Sequence, residues 1–451
     1  MRCFLIVHLA HEKILLFFKK ENGNIKMFVF YGQKNRKYSE VKCMSRFDRY
    51  FLMSTDDIAQ YVEEKVHFFS EGSDLTCEEI GDGNLNYVFR LKDKETGKSV
   101  IVKQAGETTR IDAEMKLSTD RGRIEAKILG IQGQYAEGLV PEVYLYDETM
   151  CAMILEDMVG HKMMRTALMN HEIFPKFADQ ISTFLVNTLL CTTDVVMEHK
   201  EKKANVKSFI NPDLCEISEH LVYSEPFIDY NNRNNVFAPN AEFVQKELYE
   251  DKELHLEAAK LKFDFMNNAQ SLIHGDLHTG SIFINQDHTY VFDPEFAFYG
   301  PMGYDVGNII ANLFFAWANG DACIEDEREK TEFCGWIVDC ISDIIDMFIE
   351  KFKKAYAENV TDTMAKVDGF MDYYLESILA DTAGVAGLES IRRIVGMANN
   401  KDITTIEDEA KRARAEKIII TLGKKYIKER KSFISGKAYR DAIEETVNMF
   451  K

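Results

Sequence analysis

Two short acidic segments, each preceded by an apolar run, are the parts of this chain best suited to chemistry. Residues 272–281 read LIHGDLHTGS, and residues 291–295 read VFDPE. Phosphoryl transfer needs one carboxylate to orient the attacking hydroxyl and accept its proton, and others to hold Mg²⁺ against the phosphates. Asp276 suits the first role, and Asp293 and Glu295 suit the second. Each acid alone would indicate a turn or a helix cap, but together the two segments favour a phosphotransferase site.

The two histidines of the first segment could instead suggest a zinc pair. A zinc protease would place Glu beside the first histidine on a continuous helix, whereas Gly275 opposes a helix here. The nine cysteines are scattered and include no Cys-x-x-Cys pair, so a structural zinc site is not expected. We therefore interpret His274 and His278 as hydrogen-bonding residues of the loop.

A glycine loop and a strand lysine lie upstream of the acidic segments. Residues 81–86 read GDGNLN, and such glycines let backbone amides approach phosphate oxygens, although an ordinary hairpin turn would also contain Asp-Gly. Lys103 ends the apolar run 100–102, and Glu125 follows on a predicted helix. A solvated strand end is the common interpretation of one such lysine. The order of loop, lysine, glutamate and acidic segments is nevertheless that of kinases, whose strand lysine pairs with the α- and β-phosphates.

A candidate nucleotide hinge follows the apolar run 153–155. It consists of Glu156, Asp157 and Met158. In a kinase-like architecture the adenine would hydrogen-bond to backbone groups of such a segment, and a plain surface turn is an equally good interpretation.

The elements predicted around these residues form two lobes. Apolar runs separated by turns predict strands at 75–80, 87–91, 99–103, 143–146 and 150–155, with a helix over 120–131. From about residue 165 the apolar spacing becomes helical, most clearly at 174–190 and 242–269, apart from a strand-rich interval at 271–300. The sequence therefore predicts an α+β fold with a small antiparallel β-sheet lobe and a large, mainly helical lobe.

Composition excludes several partners. The formal net charge of −19 argues against nucleic acid and against an anionic membrane surface, because both demand a basic face. No run approaches the roughly 20 apolar residues that a membrane span requires. The odd number of cysteines is typical of reduced thiols. We expect a cytoplasmic protein whose substrate is a small molecule.

The first 52 residues differ from the rest of the chain. They hold eleven Lys and Arg against four Asp and Glu, a local charge of +7. Met53 then precedes Ser54 and Thr55, which could cap a helix that runs through Val66. We predict that residues 1–52 are an extension outside the catalytic fold, that 53–158 form the nucleotide-binding lobe, and that 159–451 form the catalytic and substrate-binding lobe.

Six segments together resemble one family, the 5-methylthioribose kinases of bacteria and plants: GDGNLNYVFR, VIVKQA, TDRGRIEA, ILEDM, LIHGDLHTGSIF and FDPEFAFYGPMGYDVGNIIANL. The resemblance extends from about residue 53 to the end of the chain. It implies the two-lobed protein-kinase-like fold of aminoglycoside and choline kinases, with ATP and Mg²⁺ as cosubstrate and cofactor. It also implies phosphorylation of the anomeric hydroxyl of 5-methylthioribose in methionine salvage, and a homodimer.

The same resemblance implies roles for individual residues. Asp276 matches the catalytic and sugar-binding aspartate, and Arg392 and Arg393 match an arginine pair near the substrate. Asp293 and Glu295 match the metal ligands. The positions that match nucleotide contacts are Asn86, Lys103, Glu156, Asp157, Met158, Asp293, Pro294 and Glu295.

One departure and two alternatives accompany the resemblance. Residues 115–118 read MKLS where the family usually has a Trp-Pro-Leu run in a mobile loop, which puts the closure of the nucleotide site in doubt but leaves the reaction type unaffected. A kinase of another alcohol, such as homoserine, choline or an aminoglycoside, would share Asp276 and Asp293. A nucleotide-binding pseudokinase would usually have lost Lys103 or a metal carboxylate, and both are present.

Overall fold

The computed structural model describes residues 45–80, 85–107 and 117–451, together with the backbone of four strands before residue 45. The predicted glycine loop at 81–84 lies outside the described residues, and so do residues 115 and 116 of the segment that departs from the family pattern.

The four N-terminal strands form an antiparallel sheet of their own. Their order in the sheet is that of the chain, and neighbouring strands are hydrogen-bonded. The strands are β1 (Arg2–Leu9), β2 (Glu12–Glu21), β3 (Asn24–Phe30) and β4 (Glu40–Val41).

The small lobe is a five-stranded antiparallel sheet in the order β5-β6-β7-β9-β8, with one helix on each face. The helices are α1 (Thr55–Val66) and α2 (Asp120–Tyr135). The strands are β5 (Leu75–Glu79), β6 (Asn86–Asp93), β7 (Ser99–Ala105), β8 (Val143–Asp147) and β9 (Ala152–Glu156). Every strand predicted in this region is present, and the predicted helix at 120–131 is one turn longer.

Alternation along β7 orients the predicted lysine. Val100 and Val102 are fully buried in the core that α1 covers, while Ile101 packs in the main core on the opposite face. Because strand side chains alternate between faces, Lys103 shares the face of Ile101 and points toward α2 and the large lobe.

Residues 45–52 pack as part of the small lobe, which corrects the end of the predicted extension. Phe47 is fully buried, and its ring lies 5.1 Å from that of Tyr61 on α1. Gln104 on β7 donates to the carbonyl of Phe51 (2.9 Å) and accepts from the amide of Met53 (2.9 Å). These contacts continue across the predicted boundary, so the sheet and α1 do not form the complete small-lobe core without this segment.

The large lobe is built around α9 (Gly303–Cys323), a helix buried on almost all sides. Its apolar residues face the core all round, as expected of a central helix. Its main partners are α10 (Glu327–Asn359), α11 (Phe370–Val395) and α13 (Glu409–Lys428). The remaining helices are α3 (Met164–Met169), α4 (Phe177–Leu190), α5 (His199–Ser208), α6 (Pro212–Leu221), α7 (Ala241–Val244), α8 (Lys252–Asn267), α12 (Lys401–Thr404) and α14 (Gly436–Asn448).

Two glycines bring α11 against α9. A Cβ on Gly303 would lie 2.7 Å from the Cβ of Asp381, and one on Gly307 would lie 2.6 Å from the carbonyl oxygen of Thr382. The backbones therefore approach more closely than any larger residue permits. This contact fixes α11, which carries Arg392 and Arg393 near its end.

The single helix predicted over 242–269 is wrong. The structure has α7, a π-helical turn at Gln245–Tyr249, and then α8 as a separate helix. Asp251 starts α8 by accepting a hydrogen bond from the amide of Leu254 (2.9 Å), as an N-cap aspartate does. The apolar spacing continues through this break, which is why the periodicity does not reveal it.

Five short strands flank the acidic segments in the large lobe. They are β10 (Lys162–Met163), β11 (Ser271–Ile273), β12 (Ile282–Ile284), β13 (Thr289–Val291) and β14 (Phe298–Gly300). The strand-rich interval is confirmed, and so is the two-lobed α+β organisation of the protein-kinase-like fold. The seven cysteines of the described part are free thiols, and no helix there is long and apolar enough to cross a membrane.

Candidate active site

The loop after β11 is held by a buried aspartate of α9. Asp305 accepts hydrogen bonds from the backbone amides of His274 (2.7 Å) and Gly275 (3.0 Å). Gly275 has a φ of +84°, and a Cβ there would lie 2.8 Å from the carbonyl carbon of Phe296. Glycine is therefore required both for the left-handed backbone and for the close approach of the two acidic segments.

His274 is a structural residue of this loop, as predicted. Its Nδ1 accepts from the amide of Asp276 (3.3 Å), so its Nε2–H donates to the carbonyl of Phe292 (2.9 Å). Burial lowers the pKa of His274, and the ring is neutral at pH 7. The ring thereby links the two acidic segments.

Asp276 faces one histidine and two arginines. His278 Nε2 lies 3.4 Å from its Oδ2, while terminal nitrogens of Arg392 and Arg393 lie 3.6 and 3.8 Å from its Oδ1. Burial alone would raise the pKa of Asp276, but His278 and the two arginines outweigh it and hold the pKa well below its usual range. The carboxylate is therefore ionised, and the predicted arginine pair lies beside it.

A second cluster joins the strand lysine to the carboxylates. Lys103 Nζ donates to Glu125 (2.7 Å) and to Asp293. One carboxylate oxygen from each of Glu125, Asp293 and Glu295 lies within 4.8 Å of the others. Burial raises the pKa of Glu295, and repulsion from Asp293 raises it further, against the opposing effect of Lys103.

This carboxylate cluster fits a hard divalent cation. Mg²⁺ takes oxygen ligands and is usually bound in kinases through one or two carboxylates and the phosphates of the substrate. Asp293 is partly exposed and has a φ of +67°, and Glu295 is buried beside it. The repulsion between these acids is what a bound cation would relieve, so the donor set suits Mg²⁺ through Asp293 and Glu295.

Asn86 and Arg121 orient Glu295 from the small lobe. Asn86 Nδ2 donates to Glu295 Oε2 (2.8 Å), and Arg121 Nε lies 3.5 Å from the same oxygen. The Oδ1 of Asn86 is buried without a hydrogen-bond partner. Asn86 therefore joins the two lobes at the carboxylate cluster, and its amide oxygen remains unpaired there.

Comparisons with known proteins identify the family. The profile of the phosphotransferase enzyme family matches residues 76–332. Methylthioribose kinase of Bacillus pumilus is 38% identical over 376 residues, which cover 83% of this chain and 92% of that protein. Methylthioribose kinase of Bacillus cereus is 37% identical over 400 residues, 88% of this chain and 98% of that protein. The chain belongs to the methylthioribose kinase family. Among solved structures, choline kinase of Cryptosporidium parvum covers 88% of this chain and 97% of its own, at 14% identity and a TM-score of 0.45.

The predicted hinge of this family member follows β9. Glu156 accepts from the hydroxyl of Tyr290 (3.1 Å) on β13, and Asp157 accepts from Arg90 Nε (2.8 Å) and Ser99 Oγ (2.7 Å). Both acidic side chains are therefore engaged in protein contacts that brace the lobe boundary. A hydrogen bond from this segment to an adenine would therefore come from its backbone.

Sequence reasoning missed several residues that hold the site together. Asp305 supports the catalytic loop, and Glu389 accepts from Nε of both Arg392 and Arg393 (2.9 Å to the latter). Both had a signal in the sequence: Asp305 is an acid in the first turn of a mainly apolar helix, and Glu389 precedes the arginines by three and four residues. Arg165 also lies near the loop, and its surrounding sequence gives no such signal.

A cavity of about 940 Å³ lies elsewhere, between α5, α8 and α11. Lys202, Asp264 and Tyr373 are among its lining residues, and the predicted site residues are not. Cavity volume alone would therefore select a region without the predicted catalytic residues. The candidate active site is instead defined by Asp276 and the carboxylate cluster.

Proposed function

We propose that this chain transfers the γ-phosphate of ATP to the anomeric hydroxyl of 5-methylthioribose, giving the 1-phosphate for methionine salvage. The observation that carries the proposal is the ionised Asp276 beside Arg392 and Arg393, on a loop packed against the Asp293 segment. The small lobe, up to Met158, binds the nucleotide, and residues 159–451 supply catalysis and substrate binding. The active protein is a cytoplasmic homodimer.

Asp276 orients the sugar and accepts its proton. The anomeric hydroxyl donates a hydrogen bond to the carboxylate. Its oxygen forms a bond to the γ-phosphorus of ATP while the bond between the γ-phosphorus and the β,γ-bridging oxygen breaks, and that oxygen leaves with ADP. The proton moves to Asp276. With its depressed pKa the carboxylate is a weak base, so the proton transfers late, once the bond to phosphorus has acidified the hydroxyl.

Arg392 and Arg393 stabilise the charge of the transferring group. Their terminal nitrogens face Asp276 because both Nε atoms donate to the carboxylate of Glu389. Donors fixed in advance around the developing charge lower the barrier without reorganisation, and each is typically worth about 3–4 kcal/mol.

The carboxylate cluster and its neighbours bind the nucleotide. Lys103, held by Glu125, pairs with the α- and β-phosphates. Asn86 lies beside the phosphates, where its unpaired amide oxygen accepts a hydrogen bond from a water or binds a cation. Asp293 and Glu295, with Pro294 fixing the turn between them, hold Mg²⁺. When bound, the ion neutralises the β- and γ-phosphate oxygens. The backbone of Glu156, Asp157 and Met158 receives the adenine.

A substrate panel tests the proposal. Purified full-length protein is given ATP and Mg²⁺ with 5-methylthioribose, ribose, choline, homoserine or glucosamine, and ADP release and the phosphorus NMR spectrum of the product are recorded. We expect turnover with methylthioribose and a signal from an anomeric phosphate. Turnover confined to another alcohol would overturn the assigned substrate, and Mg-ATP binding without turnover of any of them would point to a pseudokinase.

A further inference from the structure

A third arginine lies over the catalytic loop. Arg165 is the second residue of α3, and a Cβ on Gly280 would lie 3.1 Å from its Nη1 and 2.9 Å from Cε1 of His278. Gly280 thus leaves room for the guanidinium to lie beside His278, the residue that faces Oδ2 of Asp276. Arg392 and Arg393 face Oδ1 of the same carboxylate, whereas Arg165 forms no ion pair with Asp276 within 4 Å.

The donors of Arg165 are uncommitted in the protein. Its Nε lies 3.8 Å from Oδ2 of Asp402, beyond hydrogen-bonding distance, and both of these atoms are buried without a partner. Among the described residues, its terminal nitrogens have no acceptor either. By contrast, Arg392 and Arg393 each donate Nε to Glu389.

Arg165 is nevertheless positioned rather than free in solvent. Its side chain is 20% exposed, and that of Asp402 is 1% exposed. Burial lowers the pKa of Arg165 and nearby Arg393 lowers it further, while Asp402, Asp276 and Glu389 raise it. The buried carboxylate of Asp402 lies behind Nε, and the outer end of the guanidinium, at Nη1, lies against Gly280 of the catalytic loop. A ligand that covers this end must supply acceptor oxygens, because unpaired buried donors are costly.

We propose that Arg165 determines sugar specificity by donating hydrogen bonds to ring hydroxyl oxygens of the acceptor beside the reacting one, with Asp402 as its positioning residue. This rests on the function proposed above. The transferring phosphoryl group already has two arginines within 4 Å of Asp276 Oδ1, whereas Arg165 lies beyond that distance from Asp276 and beside His278. That placement favours the sugar ring over the phosphate as its partner.

The test pairs a change in the protein with a change in the sugar. Wild type, Arg165→Met and Arg165→Lys are assayed with 5-methylthioribose and with its 2-deoxy and 3-deoxy analogues, and kcat and KM are determined separately. Arg328→Met, an exposed arginine on α10, is the matched control. Unfolding midpoints and Mg-ATP affinity establish that each variant is folded.

We expect Arg165→Met to raise KM for methylthioribose about ten- to a hundredfold, with kcat within about threefold of wild type. Wild type should lose a similar factor with at least one deoxy analogue, and Arg165→Met should not distinguish that analogue from the parent sugar. Arg165→Lys should regain part of the affinity, because it keeps the charge but not the planar pair of donors. If Arg165→Met does not fold, Arg165→Lys must discriminate between methylthioribose and that analogue less strongly than wild type does.

Two outcomes would overturn the inference while leaving the proposed function in place. The first is an unchanged KM in Arg165→Met. The second is an equal loss of kcat in Arg165→Met for all three sugars, which would indicate that Arg165 contacts the phosphoryl group. A wild type that does not turn over methylthioribose would overturn the proposed function and this inference with it.

Discussion

At the scale of single residues, one buried glutamate organises the charge around the catalytic carboxylate. Glu389 is fully buried and binds Nε of Arg392 and Arg393. Burial would raise the pKa of Glu389, but both arginines lower it, so the carboxylate stays ionised. The terminal nitrogens of the pair are thereby left to face Asp276.

Glu389→Gln should impair both folding and catalysis. The change leaves two buried guanidinium groups without their anion, and breaking such an arrangement costs about 3–5 kcal/mol of unfolding free energy. The arginines also lose the contact that orients them, so kcat should fall while Mg-ATP affinity is kept. Urea unfolding and steady-state kinetics measure the two effects.

Glu376→Gln, at an exposed position of the same helix α11, is the control for that substitution and should change neither quantity. If Glu389→Gln were as stable and as active as wild type, Arg392 and Arg393 would have to be held by other contacts.

Residue types predicted the carboxylates of the site but not everything that aims them. Asp276, Asp293 and Glu295 stand out because each follows an apolar strand, and the structure packs the loop of Asp276 against the segment that carries the other two acids and meets Lys103. Arg165 and Asp402 come together only through tertiary packing, of α3 against the catalytic loop and α9 and of α12 against α9, and neither has a local pattern that indicates its surroundings.

At the scale of elements, the crossing of the two acidic segments depends on one glycine. Gly275 combines a positive φ with the contact against the backbone of Phe296, and Asp305 holds the same peptide from the other side. A side chain here would push the catalytic loop away from the segment that carries Asp293.

Gly275→Ala should therefore lose more stability than a positive φ alone explains. We expect about 1 kcal/mol from the left-handed backbone and a further 1–3 kcal/mol from overpacking. Gly72→Ala is the matched control, since Gly72 has a φ of +88° and no atom within 4 Å of its Cβ position. Urea unfolding of both variants isolates the packing contribution, and equal losses would contradict the close approach.

Most helices and strands were predictable from the sequence, but the break between α7 and α8 was not. The strands of the small lobe follow from apolar runs between turns, and the alternation along β7 already places Lys103 on the face of Ile101. The break between α7 and α8 was missed because the apolar spacing continues through it, while the cap at Asp251 is one acid among several in that stretch.

At the scale of the whole molecule, the small lobe includes residues that composition assigned to an extension. The local charge of the first 52 residues suggested one unit, yet Phe47 and the backbone at Phe51 pack against α1 and β7. Composition averages over a segment, whereas burial is decided residue by residue, so the end of the extension could not be located from charge.

Phe47→Ala should destabilise the small lobe. Removing a fully buried aromatic side chain usually costs about 3–5 kcal/mol, and the loss should appear as a lower unfolding midpoint and weaker Mg-ATP binding. Phe263→Ala, a phenylalanine of α8 that is 62% exposed, should change stability by less than about 0.5 kcal/mol. A Phe47→Ala protein as stable as wild type would mean that residues 45–52 are not part of the lobe.

Asp276 accepts the proton of the sugar hydroxyl in the proposed phosphoryl transfer. This role is tested most directly by single-turnover phosphorylation of 5-methylthioribose by Asp276→Asn beside wild type, with Mg-ATP affinity measured on the same samples. We expect a rate about 10²–10⁴-fold lower in the variant, with nucleotide affinity within about twofold of wild type. Phosphorylation of the sugar by the variant at close to the wild-type rate would show that Asp276 is not the proton acceptor.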